Sequence, residues 1–207
     1  SVEVRDQLAH LRDVVLDLNL FLIVTASALT IASGYIINNF YDAEKDLINK
    51  PTKSMLDRLV SQRFKLSTYF VLNFMAVFAA SYISFKAVLF FSAYIFGIWI
   101  YSHKLKRIPL VGNLVSSTLA IAPFFVVFVY YQNFQTVIFV HALFLFLLIL
   151  AREMIKDLEN MAGDMAQNYR TIPIIYGPKV SKSIISFLIV LTLVPSLLLI
   201  NNPPLGM

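Results

Sequence analysis

The sequence predicts an all-α fold, a polytopic transmembrane helical bundle, and three observations carry that prediction. Apolar residues make up 58% of the 207 and charged residues only 14%, against about 25% charged in an average soluble domain. The apolar residues gather into six runs, each near the roughly 20 residues that a helix needs to cross hydrocarbon. None of the runs shows the period-2 alternation of a transmembrane strand. A soluble chain of this make-up would expose more apolar surface than water tolerates. The absence of cysteine excludes disulfides, thiolate metal sites and a cysteine nucleophile. A net charge of +5 is weak evidence for a nucleic-acid partner, and none is expected.

Taken in order, the first run (20–37) follows a more polar opening stretch, 1–19, without a signal-peptide pattern. Runs 69–85 and 87–101 are separated by little more than Lys86, so they form a hairpin. Run 110–131 contains Pro123 and run 184–200 contains Pro195; each proline is expected to kink its helix, with neighbours covering the freed carbonyl. Runs 87–101 and 137–151 are short and need flanking residues to complete a span. With no soluble domain, linker or repeat in view, residues 1–207 read as a single integral membrane domain.

The charges orient the bundle. Segments 41–68, 102–109 and 152–183 are long and polar, and with six spans all three fall on one side of the membrane. Fourteen Lys and Arg residues lie on that side, against Arg5, Arg12 and Lys86 on the other. Such a bias places the long connections in the cytoplasm and both ends of this chain on the far side.

Acidic residues gather on the same side with informative spacing. Asn38, Asp42 and Asp46 are four apart at the exit of the first span, so a helix continuing past the interface carries all three on one face. Asp157 and Asp164, seven apart at the exit of the fifth span, share a face too. Two acidic helix ends make an oxygen-rich cleft of the kind that holds Mg²⁺ together with a substrate phosphate. The interleaved Lys50, Lys53, Lys104, Lys106 and Arg107 suit a metal-bridged diphosphate, neutralising what the metal leaves. Glu44, Asp57 and Glu153 read as solvated or helix-end charges.

The run Asn38-Asn39-Phe40-Tyr41-Asp42-Ala43-Glu44-Lys45-Asp46 resembles the N-D-x-x-D-x-x-x-D motif of the UbiA-type intramembrane prenyltransferases. The run from Arg152 to Asp164, followed by Thr171-Ile172-Pro173 and Gly177, resembles their second aspartate-rich motif, and Tyr101 to Asn113 their tyrosine–lysine segment. This likeness covers about residues 20 to 200 and implies an enzyme in which two Mg²⁺ ions hold the diphosphate of a prenyl chain lying in the bundle. Heterolysis of the allylic C–O bond then gives a carbocation that a lipid-soluble or amphipathic acceptor captures. Carried over residue by residue, Asp42, Asp46, Asp157 and Asp164 match metal positions. Asn38, Lys53, Ser102 and Lys106 match diphosphate contacts, and Tyr101 and Lys104 match the residues nearest the reacting centre. Asn39 and Asn160 depart from the pattern, each standing where relatives have an acid, which bears on the number of metals. Family members have about nine spans; the six here resemble the second through seventh, so the first and last helices are expected to be missing. Within the family the motifs resemble most the branch alkylating geranylgeranylglyceryl phosphate in membrane lipid biosynthesis. Aromatic acceptors, for quinone or chlorophyll-type products, are the enzymatic alternative. An ion-coupled transporter is the alternative of another class, and it predicts mid-membrane charges and repeated halves.

Overall fold

A computed structural model of the chain describes residue 12 and residues 14–201; Arg5 and most of the opening stretch lie outside them. Helix α1 (Leu18–Asn49) is followed by the short α2 (Pro51–Asp57), α3 (Gln62–Ser81) and α4 (Phe85–His103). A 3₁₀ turn (Leu105–Arg107) leads to α5 (Val111–Tyr130) and α6 (Thr136–Glu159). The short α7 (Met161–Ala166), α8 (Ile172–Leu191) and α9 (Leu193–Asn201) complete the order. Six helical segments are long and apolar enough to cross a membrane: α1, α3, α4, α5, α6 and the α8–α9 pair. No strand occurs among the described residues.

The apolar runs locate the helices but not their ends, because polar residues extend helices past the hydrocarbon. Helix α1 continues twelve residues beyond its apolar run, so Asn38, Asp42 and Asp46 do lie on one continuous helix. Helix α3 begins at Gln62, capped by the Ser61 hydroxyl. Phe85 belongs to the next helix instead, where Ser84 accepts from the Ala87 N–H at 3.1 Å. The sixth span is interrupted twice. Gly177, at φ 84°, takes a backbone that a Cβ would disfavour. Helix α8 then stops at Leu191, four residues before Pro195, whose ring cannot pack against the carbonyl of a continuing helix. At Pro123 the chain stays helical, and the carbonyl it frees, that of Leu119, accepts the Tyr94 hydroxyl at 3.0 Å.

Packing falls into two clusters. Helix α1 lies against α3 and α4, with Ala26, Ala76 and Ala80 wholly buried, so the backbones approach closely as small residues permit in membranes. The Ser33 hydroxyl donates to Asn73 Oδ1 at 2.6 Å across that interface. Helices α6 and α8 instead interlock through Leu147, Leu150, Met154, Ile172, Ile185 and Leu188. Large side chains such as Phe70, Phe74 and Phe187 remain exposed on the outside, as a lipid-facing surface requires.

Candidate active site

The ends of α1, α4 and α6, with the 3₁₀ turn and α7, meet at one end of the bundle. Two close backbone approaches set the meeting. At Gly163 on α7 a Cβ would collide with Asn49 and with Lys45 Cγ, and the Gly163 N–H donates to Asn49 Oδ1 at 2.8 Å. The Asn49 amide in turn donates to the Asn160 carbonyl at 3.2 Å, locking α1 onto α7. At Gly112 a Cβ would come within 3.0 Å of Lys106 Cα, so a glycine here lets the 3₁₀ turn that carries Lys106 lie close on α5. The intervening Leu110 has a left-handed φ of 62°, a costly conformation held by its surroundings.

Asp42, 7% exposed, is bound by two ammonium groups: Lys106 Nζ at 2.7 Å and Lys45 Nζ at 3.5 Å. Lys106 also donates to Asn38 Oδ1 at 3.4 Å and lies 5.9 Å from the Tyr41 ring. Lys45 reaches across to α7, 3.2 Å from Asp164 Oδ1. Asp164, 1% exposed, accepts from Thr171 at 3.4 Å, while its Oδ1 has no partner in hydrogen-bonding geometry despite the nearby ammonium. Asp157 accepts from the Asn113 amide at 2.7 Å. Burial pulls the Lys106 ammonium down to about 8, against the opposite pull of Asp42. Burial also pushes Asp164 above the ordinary carboxylate range, with Lys45 resisting.

The second wall was not legible as a site. Glu153, which the sequence places among solvated or helix-end charges, is 5% exposed. It accepts from the Ser116 hydroxyl at 3.0 Å and from Lys156 at 2.7 Å, and the Tyr101 hydroxyl meets the same Ser116. The correction has a physical reason: Glu153 is four residues before Asp157 on α6, and residues so spaced share a face. Lys45, counted only as one positive charge among fourteen, sits three residues after Asp42 on the same face. Those spacings were the available signal for both.

The sequence-derived residues divide. Asn38, Asp42, Lys106, Asp157 and Asp164 converge, and Tyr101 is half-buried beside them. Ser102 is fully buried, its Oγ without a hydrogen-bond partner among the described residues. Asp46 is half-buried one turn beyond Asp42, whereas Lys53 on α2 and Lys104 at the end of α4 stand exposed. Asp57, read as a solvated charge, pairs with the buried Lys65 outside this cluster.

For a divalent cation the donor chemistry fits. The oxygens of Asp42, Asp157 and Asp164 are hard ligands, and Asp157, whose partner is the neutral Asn113 amide, is paired with no Lys or Arg nitrogen among the described residues. Among the described residues no group of three or more acidic or histidine side chains is arranged to hold a metal by itself.

Comparison with known proteins gives the same direction. Residues 8–206 match the model of the UbiA prenyltransferase family. A digeranylgeranylglyceryl phosphate synthase of Thermococcus sibiricus is 35% identical over 194 residues, covering 92% of this chain and 67% of the relative. The synthase of the same name from Methanobrevibacter smithii is 31% identical, covering 84% of this chain and 64% of the relative. A solved structure concerned with digeranylgeranylglyceryl phosphate synthase in membranes superposes with a TM-score of 0.67 at 25% identity, covering 92% of this chain and 67% of that one. The chain thus spans about two thirds of the length of the relatives it matches.

Proposed function

The chain belongs to the UbiA prenyltransferase family, and from that premise we propose that it moves a polyprenyl group from its diphosphate to an acceptor within the membrane. The observation that carries the reading is the convergence of Asp42, Asp157 and Asp164, from two separate helix ends, with the buried Lys106 and Lys45 at one end of an apolar bundle. A prenyl diphosphate has the complementary shape: an anionic head for that end and a hydrocarbon tail for the bundle.

In this reading Asn38 and Lys106 contact the diphosphate, and the acidic helix ends that carry Asp42, Asp157 and Asp164 would hold Mg²⁺. Magnesium bound there would supply positive charge to the departing diphosphate. The allylic C–O bond breaks, and the electron pair leaves with the diphosphate. Lys106, already poised between Asn38 and Asp42, adds charge to the leaving group. The Tyr101 ring face, at the apolar edge of the cluster, steadies the carbocation, and the hydrocarbon lining excludes the water that would quench it. The acceptor hydroxyl then forms the new ether bond and gives up its proton. The names of the relatives favour geranylgeranyl as the transferred group and geranylgeranylglyceryl phosphate as the acceptor.

Incubating the purified chain with radiolabelled geranylgeranyl diphosphate, Mg²⁺ and a panel of acceptors tests this directly. Labelled ether lipid with the glyceryl phosphate acceptor is expected. Label on an aromatic ring instead would reassign the acceptor, and no transfer to any acceptor would overturn the proposal. The charge distribution further favours a cytoplasmic site. The chain has no cysteine, so a single cysteine at Ala43 reports orientation without background. It should react from the cytoplasmic face and not from the other.

A further inference from the structure

We propose that the Lys45 ammonium is a built-in cation that bridges the two acidic helix ends where a metal ion would otherwise stand, so that this site takes one divalent ion with diphosphate rather than two. The inference rests on the prenyl-diphosphate reading above. Its basis is the position of one nitrogen. Lys45 Nζ lies 3.5 Å from Asp42 Oδ1 on α1 and 3.2 Å from Asp164 Oδ1 on α7. It therefore contacts one carboxylate from each acidic segment, and these are two of the residues expected to hold metal. An ammonium is a compact point charge with donors free to turn toward separate oxygens, and here it supplies positive charge to both carboxylates at once.

Its placement is enforced. The Lys45 side chain is 11% exposed, its stem runs against Gly163 where no Cβ fits, and its ammonium lies 4.8 Å over the Tyr169 ring. The Tyr169 ring is itself buried and receives Arg107 at 5.0 Å. An ion placed between Asp42 and Asp164 would have to expel an ammonium held by two carboxylates and a ring face. The local acids have also been thinned: Asn39 and Asn160 stand where the resembled motifs carry aspartate or another acid. Fewer negative ligands and a resident cation point the same way. Asp157 differs, since among the described residues no Lys or Arg nitrogen is paired with it and its recorded partner is the neutral Asn113 amide. It is the one of the three acids at which an incoming ion meets no ammonium.

The test counts metal without turnover. Equilibrium dialysis of the full chain with Mn²⁺ and inorganic pyrophosphate should give one Mn²⁺ per wild-type molecule. Lys45→Met, which keeps the length of the stem and removes the charge, should raise that to two; Lys45→Gln serves the same purpose if the methionine variant does not fold. Two ions on the wild type would overturn the inference while leaving the prenyl-diphosphate reading intact. One ion on a folded Lys45 variant would overturn it as well, because the ammonium would then not be holding a metal's place. No Mn²⁺ on the wild type in the presence of pyrophosphate would bring down both the inference and the reading it rests on.

Discussion

Two aspartates at opposite ends of α1 solve the problem of a carboxylate beside hydrocarbon in different ways. Asp17 caps the helix N-terminus, where the dipole favours negative charge. It accepts from the Asn19 and Leu20 N–H groups at 2.9 and 3.3 Å and from the Tyr130 and Tyr131 hydroxyls at 3.0 and 3.2 Å. Every one of these donors is neutral and fixed by the helices that carry it. Asp42 lies toward the other end of the same helix, where the dipole opposes it, and it is more deeply buried. Its partners are two lysine ammonium groups. Neutral donors make a joint that leaves a ligand nothing to take over. Charged partners on long stems make a site whose cations can be shared with an incoming anion. The partners of a carboxylate, more than its burial, separate the joint at Asp17 from the proposed site at Asp42.

Removing the acids of the proposed site is the strongest way to press that contrast. Asp42→Ala and Asp157→Ala should each lower turnover by a factor of about 10² or more, corresponding to about 3 kcal/mol of lost transition-state stabilisation. Chelation with EDTA should abolish activity in the wild type. Near-normal turnover in either variant, measured per folded molecule with EDTA present, would show that metal-held diphosphate is not the chemistry of this site.

The next largest effect should separate two lysines two residues apart. Lys106 is buried against Asp42, whereas Lys104 is exposed, although the family resemblance assigns Lys104 to the reacting centre. A charge-assisted hydrogen bond contributes about 1.5–3 kcal/mol, so Lys106→Met should cost roughly 10- to 100-fold in kcat/KM. Lys104→Met should change it little. Reversal of that order would return the catalytic assignment to Lys104.

A smaller effect is expected on the second wall. In the proposed reaction Glu153, bonded to Ser116, reaches Tyr101 only through that hydroxyl, so its part is to position the ring. Ser116→Ala removes the hydroxyl that stands between Tyr101 and the Glu153 carboxylate and should lower kcat by roughly fivefold, about 1 kcal/mol, with KM for prenyl diphosphate unchanged. A matching rise in KM would move Ser116 from positioning Tyr101 to binding the diphosphate.

How far the sequence carried these distinctions depended on whether a signal was periodic or three-dimensional. The six spans were legible because bilayer thickness imposes a run length, and the face shared by Asn38, Asp42 and Asp46 because helical period imposes a spacing. Helix ends were not legible: polar residues carry α1 on to Asn49 and start α3 at Gln62, outside the apolar runs. The meeting of Asp42 with Asp164 follows in the sequence only from the two acidic helix ends lying on one side of the membrane. Its agent, Lys45, was hidden among the positive charges expected on that side for topological reasons alone. Lys106 and Lys104 are alike in sequence, and it is the turn carrying Lys106 that lies close on α5 at Gly112.

The smallest effect on chemistry, and the sharpest test of the opening contrast, belongs to Asp17. Asp17→Ala removes the cap of α1 and at once deprives both tyrosine hydroxyls at the end of α5 of their acceptor. The joint between the two helices is lost and no charge at the active site changes. Thermal unfolding should therefore begin at a lower temperature, while turnover per folded molecule stays at the wild-type value. Tyr130→Phe, which keeps the ring and removes one donor, should lower the unfolding temperature by less than Asp17→Ala, since the Asn19 and Leu20 N–H groups still reach the carboxylate. If Asp17→Ala instead lowered turnover of fully folded protein as deeply as Asp42→Ala, the far end of α1 would be coupled to the chemistry. Neutral, fixed partners would then no longer mark a carboxylate as structural.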